Sequence, residues 1–413
     1  MMRASQPTAR EIRIALVITA ALLLGKVLLQ VVTQEARRSD FTALYTGGTI
    51  VRQGNGSKLY DLEEQTRVKE TLFEQKGMIV NTHPPFEALI LAPLTRLSYL
   101  RAYVVWGIIN ILFWMAFVYL VRPHAPVPKQ TFQYFILCFG FFPLWVALLA
   151  GQTTLPLLVL YCLTFVSLKH QKDFRAGVFL GLGLFKFQLV LPFALICLFR
   201  QKWRLMAGFV SAALLLGVLS TLAVGPAGMA SYIKLLFYIV KHPTDPAYID
   251  VLPVDMPTVR GFLSVLLTGR LPLERINAVV AIISVFLVLF TAWRWRQEDR
   301  RKGGGSQNLM FAAALAITLM TSFHLYVYDL SLLVLVVLLV FASSQWSEPS
   351  NSRLVLNASI VILYLPPVYL LLRNWADPYL LWVVLVAFAF AVFGLLGRSP
   401  RRDLDGDGSA GIA

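Results

Sequence analysis

The sequence predicts an all-α polytopic membrane protein, and three observations predict it. Of its 413 residues 57% are hydrophobic and only 14% charged, whereas soluble domains carry about 25% charge. The mean hydropathy is +0.68. Apolar runs close to the ~20 residues that cross a bilayer as helix recur along the chain, and they are continuous rather than alternating, which excludes a β-barrel. About twelve transmembrane helices with both ends on the cytoplasmic side fit this pattern. No connection is long enough for a soluble domain of ~100 residues, so residues 1–397 read as one integral membrane domain and 398–413, polar and glycine-rich, as a disordered cytoplasmic tail.

The elements follow from the runs and the basic loops between them. Met1 to Arg13 is polar and basic, and Ile14 to Val32 is an apolar run without a small-residue cleavage site, read as an uncleaved helix. With Arg3, Arg10 and Arg13 inside, this helix delivers a polar loop, 34–85, to the outer face. Phe86 to Leu97 is short and contains Pro93, which suits an interfacial or re-entrant segment. Ala102 to Val121 is a full span ending in Arg122, His124 and Lys129. Thr131 to Leu149 and Leu155 to Leu168 form a pair turning outside at Gly151-Gln152-Thr153.

Ala176 to Phe199 is flanked by basic loops at both ends, 169–175 and 200–204. A single crossing would bury Lys186 mid-membrane, so a tight pair of short helices turning at Lys186-Phe187-Gln188 is favoured. Leu205 to Val224 leads outward to a second polar stretch, 225–275, and Ile276 to Trp293 returns to the basic loop 294–302, followed by Gly303-Gly304-Gly305. Two further pairs turn outside at 322–326 and at Arg373-Asn374-Trp375-Ala376-Asp377.

The net charge of +15 would suggest nucleic acid in a soluble chain. Here the basic residues lie in short loops, as positive-inside bias requires, and they suit lipid headgroups rather than nucleic acid. Cys138, Cys162 and Cys197 sit inside apolar runs, which argues against disulfides and cysteine metal sites. Trp106, Trp145, Trp203 and Trp375 at run ends fit an interfacial aromatic belt. Asn55-Gly56-Ser57 matches a glycosylation sequon, with a glycine turn as the plainer reading.

Polar chemistry then has few places to occur. The outer face collects Asp40, Asp61, Glu63, Glu64, His83, Gln152, Lys186, Gln188, Arg260, His324 and Asp329. An acid at the membrane surface can act as general base toward a hydroxyl, and cations beside it can stabilise a lipid-borne phosphate leaving group. Each residue also has a plainer role. Asp40 would pair with Arg37 or Arg38, and Lys186 would snorkel, although intramembrane charges are often functional. Arg260 would meet a lipid headgroup, His83 would order a proline turn, and His324 would hydrogen-bond Asp329. Asp61, Glu63 and Glu64 lack ligand spacing for a metal and read as a solvated acidic turn.

The order of motifs resembles glycosyltransferase family 87, membrane enzymes of GT-C architecture related to mannosyltransferases. Asp40-Phe41-Thr42-Ala43-Leu44-Tyr45 with Gly54 and Leu59-Tyr60-Asp61 is similar to that family's first outer loop. His83-Pro84-Pro85-Phe86, Ala92-Pro93-Leu94, Ala102-Tyr103 with Trp106 and Asn110, Gly151-Gln152, Ala176-Gly177 to Lys186-Phe187-Gln188, and Tyr328-Asp329-Leu330 continue it. The resemblance implies transfer of a hexose, with mannose the expected sugar, from a polyprenyl phosphate donor to a lipid or glycan acceptor outside the membrane. It implies inversion, no obligatory metal or cofactor, and Asp40 as the base. Lys186 and Arg260 would hold donor phosphate with Gln188 and His83 assisting, and His324, Asp329 and Gln152 would give further support. The chain departs from the family at Met256-Pro257-Thr258-Val259 before Arg260-Gly261, and around Ser322 to Asp329. A transporter or flippase of lipid-linked sugars and a non-catalytic envelope-assembly protein are the competing classes; one helix break near Lys186 without a matching partner counts against the transporter.

Overall fold

The computed structural model describes residues 9–73, 80–124, 131–242, 245, 256–300, 307–343, 350–365 and 379–396. All regular structure among them is helical: α1 (Ala9–Val32), α2 (Phe41–Arg52), α3 (Leu62–Phe73), α4 (Pro85–Leu91), α5 (Tyr99–Val121), α6 (Thr131–Phe139), α7 (Phe142–Leu149), α8 (Thr154–Lys169), α9 (Asp173–Leu182), α10 (Phe187–Phe199), α11 (Trp203–Lys241), α12 (Val259–Leu267), α13 (Leu273–Arg300), α14 (Gln307–Thr321), α15 (Leu333–Phe341), α16 (Asn351–Tyr364) and α17 (Tyr379–Leu396). Lys129, Gly303 to Gly305, the turn Arg373 to Asp377 and the tail 398–413 lie outside the described residues.

Among the described residues four stretches are long and apolar enough to cross a membrane: Tyr99–Val121, Asp173–Phe199, Trp203–Lys241 and Leu273–Arg300. Their outward faces stay apolar, with Leu214, Val218 and Leu222 of α11 and Ile282 and Phe286 of α13 all more than half exposed. In water such a surface would drive association; in a bilayer it is the lipid-facing side. The chain is a membrane protein by this arrangement. At the centre lie α14 and the segment 327–341, where Leu309 to Leu315 and Leu332 to Val340 are almost wholly shielded. Helices buried on every side carry apolar residues all round, which explains why these runs lack an amphipathic pattern.

By length alone Asp173–Phe199 is one crossing, but its contacts fold it back. Thr164 of α8 faces Ala176, and Leu157 faces Gly183, so α9 runs antiparallel to α8. Gly177 packs on the Leu205 carbonyl and Gly181 on Phe209 and Ala212, so α9 and α11 run parallel. Since α11 starts just after α10 ends, α10 must return to the level where α9 began. An ion pair between Lys202 and Asp173 at 3.8 Å ties the two ends together. The expected pair of short helices is therefore present, with a 3₁₀ turn, Gly183–Lys186, at its tip.

The glycines make this packing possible. A Cβ on Gly177 would overlap the Leu205 carbonyl, and one on Gly208 would overlap the Phe174 carbonyl. Backbones of α9 and α11 thus approach as small residues allow in membranes.

Two sequence expectations change here. The polar stretch expected from Gly225 begins instead as helix, because α11 continues through Pro226 to Lys241. Gly225 takes φ 70° and ψ 174°, a conformation that only glycine adopts readily, and this kink replaces a loop. The segment expected to be interfacial is α4 followed by a 3₁₀ turn, Ala92–Arg96, consistent with Pro93 supplying no backbone donor.

Candidate active site

Asp40 is set in place by the turn between α1 and α2. Gln34 adopts φ 62°, and the chain passes through a 3₁₀ turn, Glu35–Arg38, to reach it. The Tyr99 hydroxyl and the Ser39 hydroxyl both donate to the Ala36 carbonyl, the latter at 2.8 Å. Phe41 N donates to the Ala150 carbonyl at 3.2 Å. The Phe41 ring stacks on Trp106, whose Nε1 donates to the Gly151 carbonyl at 2.7 Å. Asp40 is consequently fixed against the α7–α8 turn, where Gly151 sits at φ 68° with its missing Cβ 2.7 Å from Phe41 Cβ.

From Asp40 a continuous chain of polar contacts runs into the bundle. Gln152 Nε2 donates to Asp40 Oδ2 at 2.6 Å. Lys186 Nζ donates to Gln152 Oε1 at 3.1 Å and to Asp329 Oδ1 at 2.8 Å. Thr154 Oγ1 donates to Asp329 Oδ1 at 3.1 Å, and Tyr326 N to Oδ2 at 3.0 Å. Lys186 Nζ also lies 4.7 Å over the Tyr328 ring. Gln152, Lys186 and Asp329 are buried while Asp40 is half-buried, so the chain leads from the interior to an accessible carboxylate. Oδ1 of Asp40 has no hydrogen bond to any described residue. Burial raises the Asp40 pKa above its ordinary value, opposed by the Gln152 hydrogen bond and the Lys186 charge.

Arg260 approaches from α12. Thr258 caps that helix by accepting from Gly261 N at 3.2 Å. The Arg260 guanidinium stacks on Phe323, 3.7 Å from the ring centre, and Nη1 donates to the Phe323 carbonyl at 3.1 Å. Its Nε and Nη2 are buried with no hydrogen-bond partner among the described residues. Burial lowers its pKa to about 10, so it stays charged at neutral pH.

His324 follows Phe323, its ring edge-on to Tyr326 at 4.3 Å between centres. Part of its surface reaches solvent, yet burial holds its pKa near 4, and the charges it senses are those of Asp329, Lys186, Arg260 and His83.

The expected His324–Asp329 hydrogen bond is absent among the described contacts: both Asp329 oxygens are taken by Lys186, Thr154 and Tyr326 N. Nor does Asp40 pair with Arg37 or Arg38; Arg38 lies 3.7 Å from Glu35. Gln188, the second residue of α10, is half-buried and hydrogen-bonds none of the described residues. Asp61, Glu63 and Glu64 form a helix start, with Asp61 Oδ1 accepting from Glu63 N and Glu64 N at 2.9 and 3.2 Å, and Glu64 paired with Arg67 at 2.7 Å. Asn55 of the sequon donates from Nδ2 to Glu64 Oε1 at 2.9 Å. Among the described residues no three His, Cys, Asp or Glu side chains stand close enough to hold a metal ion.

Sequence reasoning missed Thr154 and Glu87. Thr154 has no local signal, because its partner is 175 residues away. Glu87 stands four residues after His83, and its Oε2 lies 2.7 Å from His83 Nδ1; that i,i+4 spacing was a usable signal.

The site thus holds an acid with one oxygen, and a cation with two donors, that bond none of the described residues, with His83 and His324 in electrostatic reach of each other. The profile of glycosyltransferase family 87 matches residues 81–323, more than half of the chain. The chain belongs to glycosyltransferase family 87. It is a membrane glycosyltransferase, and the matched stretch contains His83, Gln152, Lys186 and Arg260, while Asp40 precedes it and His324 and Asp329 follow it. No curated protein matches the chain by sequence.

Proposed function

We propose that this family 87 glycosyltransferase moves a hexose, with mannose the expected sugar, from a polyprenyl phosphate to a hydroxyl of a lipid or glycan acceptor outside the membrane. Asp40 takes the acceptor proton on its free Oδ1 while the acceptor oxygen bonds to the anomeric carbon. The bond from that carbon to the phosphate oxygen breaks, and polyprenyl phosphate leaves with the electron pair. Attack opposite the leaving group inverts the anomeric centre.

The observation that carries this reading is Arg260, a buried guanidinium with Nε and Nη2 unpaired. Leaving such donors unmet costs stability, and a phosphate oxygen pair suits their fork. Lys186 is already engaged by Asp329 and Gln152. In this reading it holds the Gln152 amide against Asp40 and adds positive potential for the phosphate without gripping it. Gln188 and His83 line the donor's approach. The GT-C architecture and the twelve crossings, both ends inside, belong to the same proposal, which places these hairpin tips at the outer face.

The test is sugar transfer by purified protein in lipid, with radiolabelled polyprenyl phosphate mannose and an envelope-lipid acceptor pool. Wild type should form product, and folded Asp40→Ala and Asp40→Asn should form at least about 10²-fold less. Equal product from all three would remove Asp40 from the mechanism. Movement of the donor across a vesicle wall without transfer would establish the transporter class instead.

A further inference from the structure

The side chain of Glu87 is only 5% exposed, on the first turn of α4. A buried carboxylate is costly unless paired, yet among the described residues neither of its oxygens has a hydrogen bond of good geometry. The group that meets it is His83, whose Nδ1 stands 2.7 Å from Oε2. The backbone carrying His83 is fixed with unusual care. Its N–H donates to Asn81 Oδ1 at 3.0 Å, and its carbonyl accepts from the Tyr60 hydroxyl at 2.7 Å. Asn81 is held in turn by Gln65, which accepts from its N–H at 2.7 Å and donates to its carbonyl at 3.1 Å. Pro84 and Pro85 set the entry into α4, as a proline at the first helical position does.

A proline turn alone needs none of this around the imidazole. His83 keeps 22% of its side chain exposed, and its Nε2 is neither hydrogen-bonded to a described residue nor enclosed. The ring therefore meets a buried carboxylate through one nitrogen and leaves the other without a partner among the described residues. Its charge is felt at both Asp40 and His324.

We infer that Glu87 is a positioning residue that holds the Nδ1 edge of His83 and, as its counter-ion, turns the Nε2–H of the imidazolium toward the departing phosphate. This rests on the transfer reaction proposed above. No proton leaves the ring during the step: the phosphate takes the electron pair of the broken bond, and the imidazolium supplies a charge-assisted hydrogen bond as that charge develops. The groups facing His83 are Glu87 on α4, Tyr60 before α3, Asp40 before α2 and His324 before α15; Tyr232 of α11 faces Glu87 from the other side. Glu87 alone among them touches the ring nitrogen.

Nitrogen-15 histidine NMR in lipid nanodiscs reads the arrangement without any turnover, with the His83 signal identified by its loss in His83→Gln. Wild type should show Nδ1 protonated, and Glu87→Gln should lose that preference. A neutral Nε2–H form in wild type overturns the inference. Transfer rates then place the pair in the reaction. Glu87→Gln should lower them about 10- to 100-fold, the size that removing a carboxylate behind a functional histidine has elsewhere. In a His83→Gln background the same change should cost nothing further. Independent, multiplying losses would mean that Glu87 is only a structural acid, and overturn its role in transfer. Activity surviving Asp40→Asn would refute Asp40 as base while leaving this result intact.

Discussion

In the proposed reaction the pH dependence rests on Asp40 and the one hydrogen bond it accepts from Gln152. The carboxylate form is the proposed base, and burial raises its pKa, so transfer should fall as pH drops through that raised value. The Gln152 amide opposes the shift by hydrogen-bonding the charged form. Gln152→Ala should therefore move the acidic limb of the rate profile to higher pH, which a pH series of initial rates will show; an unmoved limb would mean that Asp40 does not titrate in the rate. The linkage has the same origin. A folded pKa above the unfolded one favours folding below the ordinary carboxylate range, and this contribution is lost as pH rises through the folded value. Asp40→Asn should cost about 10²- to 10⁴-fold in rate, the usual worth of a positioned base. Arg260→Ala should act differently, raising donor KM about 10- to 100-fold, as loss of charge-assisted bonds worth about 1.5–3 kcal/mol requires. Arg260→Lys should rescue little, because a point charge lacks the fork.

At the scale of elements, the hairpin tips carry the site, and the ion pair at the α9–α10 tip sets its cost. Lys186 and Asp329 are 4% and 0% exposed, so removing one partner strands a buried charge. Lys186→Met should destabilise the protein by about 3–5 kcal/mol, and adding Asp329→Leu should restore most of that. Transfer should stay low in the double variant, since Gln152 has lost its anchor. Thermal unfolding in nanodiscs beside transfer rates separates the two effects, and a fully active double variant would make the pair purely structural. Local sequence told only part of this. Lys186 stood out as a charge inside an apolar run, and basic loops at both ends of 176–199 pointed to the fold-back. Asp329 was assigned to His324 because they are close in sequence, whereas its partner Lys186 is 143 residues away. Gln152 looked secondary for the same reason: its bond to Asp40 spans 112 residues. Gly225-Pro226 read as the end of a helix, since nothing local shows that the backbone recovers beyond the kink.

Across the whole molecule, the contacts divide the chain into two ends. Asp40, Gln152, Lys186, Arg260 and His324 mark one, and the turn 170–175 with Lys202 and the pair of Arg200 with Asp299, 2.7 Å apart, marks the other. The proposed orientation puts the first end outside. The three cysteines offer a clean way to test it, because Cys138, Cys162 and Cys197 are all buried, out of reach of a soluble maleimide. Single cysteines can then be read against a low background. Ser57→Cys sits on an exposed turn beside the kinked part of α11, with neighbouring Gly56 packed on Ala223, and Lys172→Cys is exposed at the start of α9. A membrane-impermeant maleimide added to intact cells should label the first, and should reach the second only after permeabilisation. The reverse pattern would put Asp40 on the side that lacks the proposed acceptor. Labelling of both from one side would break the antiparallel relation of α8 and α9 on which the placement of Lys186 depends.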